Sequence, residues 1–172
     1  MPFTPLHFGV GLLAKGIAPK RVSLTAFVAS QILIDCEPAF YLMKGDWPIH
    51  RWFHTFAVGV PVALAAGALV FLAGDHLTVA WRRWRATPGP PEVALGACLV
   101  GAALGGVTHP ILDGMMHWDV RPLRPFSMAN PFEHLLSVPA LYWLCVAAGV
   151  VGVLLLAMRG TGADLYGAER GR

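Results

Sequence analysis

Uninterrupted apolar runs limit what this chain can fold into more than any other feature. Thr55 to Gly74, Val93 to Leu112 and Leu135 to Met158 are each apolar over about 20 residues, the length a helix needs to cross a hydrocarbon core of ~30 Å. Ser23 to Met43 is long enough as well, but carries Gln31, Asp35 and Glu37 in its second half. That half must face protein or water, because a carboxylate in lipid costs several kcal/mol. Phe3 to Ile17 is apolar but too short to cross. Its Thr4-Pro5 start reads as an N-cap followed by Pro at the first helical position. No basic stretch marks it as a cleavable signal peptide, so it is expected to stay as a half-helix dipping into the bundle. The expected fold is all-α: a polytopic membrane protein with about four membrane helices and a short N-terminal half-helix, in one domain over residues 1–172.

Composition excludes the main alternatives. The chain is 56% apolar and 13% charged, with a mean hydropathy of +0.58. Soluble domains are about 45–50% apolar and ~25% charged, so there is too little polar surface here to wrap a water-soluble core. Disorder and coiled coil are excluded on the same grounds. Cys36, Cys98 and Cys145 lie in apolar stretches without a CxxC pair, which argues against a zinc-thiolate site or a disulfide framework. The net charge of +3 does not point to nucleic acid, because the basic residues are dispersed beside apolar runs, where they set orientation. Lys15, Lys20, Arg21, Arg82, Arg83, Arg85, Arg159, Arg170 and Arg172 fall in one set of loops. Lys44, Arg51, Arg121 and Arg124 fall in the other, among Asp46, Asp113, Asp119 and Glu133. The richer set is expected to be cytoplasmic in a bacterial-type inner membrane, with the C-terminus inside. Thr87-Pro88-Gly89-Pro90-Pro91 reads as a stiff turn between spans.

In that topology the histidines gather on one side. His7, His50, His54, His109, His117 and His134 are external or near external helix ends, and His76, beside Asp75, is opposite. At ~1.5 Å per residue, Asp35 lies about 18 Å along its helix and His109 about 24 Å along its own, both in the outer half of the membrane. His54 opens a span at that level, and Asp113 closes another. His109 and Asp113 are spaced i, i+4 and share a helical face, which suits a cation. His50 and His54 repeat the spacing and share a face if helical. Asp35 and Glu37, two apart, do not share one, so one is expected to be a ligand and the other an acceptor or base. Histidines and carboxylates at one depth would repel or desolvate each other unless protonated, paired or neutralised by metal. A metal site is therefore expected. His117, Asp119 and His134 read as solvated loop residues. Trp47, Trp52, Trp81, Trp84, Trp118 and Trp143 read as an interfacial belt, and Gly96, Gly101, Gly105 and Gly106 as helix-packing positions.

The order of these motifs resembles the bacterial inner-membrane metal-dependent hydrolases, a family distantly similar to the zinc-dependent phospholipase C and single-strand nuclease superfamily. His7 on a short helix, Asp35-Cys36-Glu37-Pro38 after an apolar helix, His50-Arg51-Trp52-Phe53-His54-Thr55 opening a span, and Thr108-His109 with Asp113 closing another carry the resemblance. It extends to Arg121-Pro122-Leu123-Arg124-Pro125-Phe126, similar to a proline-rich stretch of the family. The acidic motif departs from the family's Asp-x-Asp followed by His, and the His-Arg motif is one residue shorter and lacks Gly. The resemblance implies His7, Asp35, His54, His109 and Asp113 as metal ligands; His50 is a further candidate, and His117, Glu133 and His134 are candidates for a third metal.

Together these readings give one or two divalent ions, most consistent with zinc given His and carboxylate ligands without thiolate. The expected reaction is attack of metal-activated water on a phosphoester of a lipid or lipid-linked substrate at the outer leaflet. Asp35 or Glu37 would orient or deprotonate the water, and Arg51 or Arg121 would hold an anionic headgroup. A cation or proton transporter and a non-catalytic scaffold are the alternatives. The first needs a polar path to both faces; the second predicts no bound metal.

Overall fold

The computed structural model describes the backbone of residues 5–84 and 94–169, and side chains over residues 6–74 and 94–159. Thr4, Arg85, the Thr87–Pro91 turn, Arg170 and Arg172 lie outside the described residues, as do the side chains of Asp75, His76, Trp81, Arg82, Arg83 and Trp84. A single 3-10 turn, Pro5–His7, leads into α1 (Phe8–Ile17), followed by α2 (Leu24–Lys44), α3 (Phe56–Trp84), α4 (Leu95–Met116) and α5 (Val138–Glu169). Among the described residues there is no strand. Segments Leu24–Lys44, Phe56–Gly74, Leu95–Met116 and Val138–Arg159 are long and apolar enough to cross a membrane, and α1 is the shorter apolar helix. The protein is thus all-helical, with the expected number of spans. α3 continues past Gly74 to Trp84, and α5 begins at Val138 rather than Leu135.

α2 starts where Ser23 accepts a hydrogen bond from the Ala26 N–H, and stops where Gly45 takes the left-handed conformation at φ 66°. Its buried face, Ala26, Phe27, Ser30, Gln31, Ile34, Asp35 and Pro38, follows helical spacing. Gln31 and Asp35 are therefore stacked one turn apart and turned inward, whereas Glu37 lies to one side. Small residues on α4 let α2, α3 and α4 close on one another. A side chain at Gly101 would collide with the Ser23 backbone, one at Gly105 with Ser30, and one at Gly106 with Ala63 and Val60. Gly96 does not belong with these: nothing lies within 4 Å of where its side chain would be.

α1 packs chiefly along α5, and only weakly on the three-helix group. Gly9 lies against the Cys145 carbonyl and Gly16 against Gly152, so the two backbones nearly touch. The pair meets the rest of the bundle where Leu6, Val10, Met115 and Met116 pack on Leu112, Leu141 and Cys145. Lys15, counted above among the orientation charges, is buried instead: its ammonium donates to the carbonyls of Pro19 and Val22 at 2.8 and 3.0 Å. It closes the turn between α1 and α2, where the backbone has carbonyls to satisfy.

Candidate metal centre

Side chains from the start of α1, from α2, from the α2–α3 loop and from α4 meet in one buried place. Asp35, His54, His109 and Asp113 each offer a ligand atom, all within 4.8 Å of one another, and all four residues are buried. The His54 and His109 Nε2 atoms are 3.2 Å apart. Asp113 Oδ2 is 3.1 Å from His54 Nε2 and 3.2 Å from His109 Nε2. Asp35 Oδ1 is 3.2 Å from His109 Nε2 and 3.9 Å from His54 Nε2. Four ligands at about 2.0–2.1 Å from a tetrahedral zinc-type ion stand about 3.3–3.4 Å from one another, so four of these five edges match and the Asp35 corner is slightly open. Two imidazole nitrogens cannot both carry hydrogens and face each other at this distance. With both imidazoles neutral, the two carboxylates leave a double negative charge that one divalent cation would cancel.

The proton positions this demands are set from behind. His109 Nδ1 lies 2.6 Å from Gln31 Oε1, so it donates to that oxygen and turns an Nε2 lone pair toward the cluster. His50 Nδ1 pairs in the same way with Asp119 Oδ1 at 2.9 Å, whereas His54 Nδ1, 3.7 Å from Glu37 Oε2, is buried without a hydrogen-bond partner. Acceptors behind Nδ1 and lone pairs forward at Nε2 are the arrangement found around metal-ligating histidines.

A second group adjoins the first through Asp113, which approaches His50 and half-buried His117 within 4.8 Å. The His50 and His117 rings stack at 4.5 Å. His7 completes the surroundings, with Nε2 3.5 Å from Asp113 Oδ1, buried and without a hydrogen-bond partner. Ring contacts run unbroken from His7 to His109, His54, His50 and His117. Burial lowers the His7 pKa to about 4, against the opposing pull of Asp113. Burial likewise lowers that of His117, so both rings are neutral at pH 7 and have a lone pair to offer.

The loop that carries His50 and His54 is not helical, contrary to the shared-face expectation. Two carboxylates hold it in place of a helix. Asp119 Oδ2 accepts from the Ile49 and His50 N–H groups, both at 3.2 Å. Glu37 accepts from the next three: Arg51 at 3.0 Å, and Trp52 and Phe53 at 2.9 Å. Thr55 then caps α3 by accepting from the Val58 N–H at 3.2 Å. Five successive backbone donors, from Ile49 to Phe53, thus end on two anions. Burial raises the Asp119 carboxyl, but the hydrogen bonds from His50 outweigh it and hold the group at about 2.

Of the residues read from the sequence, the fold brings together His7, Asp35, His50, His54, His109 and Asp113, and adds His117. Asp119 is buried rather than solvated. Glu37 lies beside the cluster with its oxygens turned to the loop backbone. Arg51 pairs with Asp46 at 2.8 Å and covers the Tyr41 ring, and Arg121 donates to the Trp118 and Val120 carbonyls. Neither guanidinium is aimed at the cluster. Glu133 and His134 are exposed and pair with each other at 3.7 Å, apart from both groups. Gln31, one helical turn before Asp35, was noted only as a polar residue in a span; that spacing was the available signal for its role.

Scans against protein-family models, curated proteins and solved structures give no match for this chain.

Proposed function

We propose that the protein is a membrane-embedded, metal-dependent hydrolase acting on a phosphoester presented at the membrane. The observation that carries the reading is the near-tetrahedral spacing of Asp35, His54, His109 and Asp113, with the Gln31 oxygen behind the His109 ring. The resemblance in motif order to the inner-membrane hydrolases supports it. His54, His109 and Asp113 would hold one divalent ion, with Asp35 at the open corner; His50, Asp113 and His117 would hold a second, with His7 beside Asp113. When bound, such ions supply Lewis acidity toward a phosphoryl oxygen and toward water.

The chain's own groups then divide the work. Asp35, at the open corner, would orient water and accept its proton. His54, His109 and Asp113 fix the charge that the ion must balance. Glu37 is a positioning residue in this scheme, because its oxygens are engaged with three N–H groups. The orientation read from the basic residues would put the site toward the outer face of a bacterial-type inner membrane.

Elemental analysis of purified protein, with hydrolysis of a phosphodiester or phospholipid in detergent, tests the proposal. Activity should disappear with chelator and return with Zn²⁺. Asp113→Ala and His109→Ala should lose most of the metal, while His76→Ala keeps it. Equal metal content in all three variants would leave the cluster as polar packing. Metal-independent ion flux through reconstituted vesicles, with no turnover on a broad phosphoester panel, would replace the hydrolase with a transporter.

A further inference from the structure

α5 is the helix most exposed to lipid, and its contact with α1 leaves a trough. The close approach at Gly9 and Cys145 brings the two backbones together, and between the flanking side chains a groove of about 490 Å³ remains on one side. Its walls are apolar: Leu6, Phe8 and Leu12 from the α1 side, with Val146, Val150 and Leu154 from α5. From Cys145 to Leu154 it runs along about 14 Å of helix at ~1.5 Å per residue, near half the ~30 Å hydrocarbon thickness.

Both ends of the groove are informative. At one end Leu6 precedes His7, whose Nε2 faces Asp113 at 3.5 Å. Val146 also lines a second, smaller groove of about 330 Å³ with Val138, Pro139, Tyr142 and Trp143, toward the start of α5. Tyr142 and Trp143 are exposed there. Tyr and Trp favour the headgroup level, where an apolar ring body and a polar tip are both accommodated. The continuous surface is therefore apolar for the depth of one leaflet, and amphipathic at the mouth, next to the metal-ligand cluster.

We propose that this trough is a binding site for one acyl chain of a membrane lipid, with the lipid headgroup at the level of Tyr142 and Trp143, at the end of the trough where Leu6 precedes His7. The lipid's role as substrate rests on the hydrolase reading above; the site itself does not. Chain burial at about 0.8 kcal/mol per CH₂ is little gained inside a bilayer, so selectivity comes from the shape of the trough and the aromatic residues at its mouth.

The test uses the full-length protein in lipid nanodiscs doped with a phosphatidylcholine carrying a diazirine near the end of one acyl chain. After photolysis, labelled positions are mapped by mass spectrometry. Label is expected to concentrate severalfold at residues 6–12 and 146–154 over the lipid-facing Leu69 and Leu72 of α3, which are more exposed than the groove residues. Val150→Trp, at a residue 54% exposed, should fill the trough without disturbing the core, and should cut that labelling severalfold. Leu69→Trp should leave it unchanged. Even labelling across α3 and α5, or no effect of Val150→Trp, overturns the proposal. Because photolabelling needs no turnover, a chain that concentrates label but hydrolyses nothing counts against the hydrolase reading alone.

Discussion

Replacing Gln31 by Leu removes the oxygen that fixes the His109 proton, and the ring can then turn its N–H toward the cluster. Metal affinity should drop about 10–100-fold, while Gln31→Glu, which keeps an acceptor behind Nδ1, should retain it. Competition with a chelating dye reads both, and equal affinities in the three proteins would remove Gln31 from the site. Glu37→Gln tests a different role. It takes the charge from an oxygen pair that accepts three N–H bonds, and bonds to charged acceptors contribute about 1.5–3 kcal/mol each. The expected outcome is a loss of about 2–4 kcal/mol, with faster proteolysis between Asp46 and Thr55; unchanged stability with lost turnover would return Glu37 to the role of base. Asp119 gives the pH dependence. Its folded pKa of about 2 lies below the ~3.9 of an unfolded aspartate, so its contribution is complete above about pH 4 and is lost as pH falls toward 2. The thermal midpoint of the wild type should fall through that window more steeply than that of Asp119→Asn.

Among the elements, the glycines of α4 separate by what they touch. Gly105→Val would drive its side chain into Ser30 and the Gln31 amide, and should cost 3 kcal/mol or more, on the order expected for severe overpacking. Gly96→Ala meets nothing and should be neutral, or stabilising by up to about 1 kcal/mol, as a helix gains from replacing glycine. Thermal unfolding in detergent distinguishes them. The sequence made these four glycines look alike, because small size at helical spacing says nothing about what lies opposite. The helices themselves were legible, since lipid demands length and apolarity, both local properties. His109 and Asp113 were legible for the same reason: their spacing within one helix fixes their shared face. His50 was legible as a candidate from its spacing to His54, but its place in a loop and the burial of Asp119 were not, because that loop, held by Glu37 and Asp119, owes its shape to partners 14 to 70 residues away. The burial of Lys15 was not legible either, since it depends on a turn that no periodicity announces.

Across the whole molecule, the basic residues predict that a Cys introduced near Thr87 is shielded from an impermeant thiol reagent in intact cells, while one near Ser127 is labelled. Labelling in the opposite sense would invert the orientation and the leaflet facing the cluster. One feature of the packing also sets an order of events. α1 is about 15 Å long at ~1.5 Å per residue, half of what a bilayer core requires, and its main partner is the last helix of the fold. Translation delivers α1 well before α5. During synthesis α2, α3 and α4 can associate and bring Asp35, His54, His109 and Asp113 together, while the N-terminal segment waits at the surface with its glycine edge uncovered. His7 then joins the cluster only when α5 arrives. A ribosome stalled before Val138 should therefore yield a nascent chain whose Gly9–Gly16 stretch is open to protease, and whose release into the full-length chain closes it.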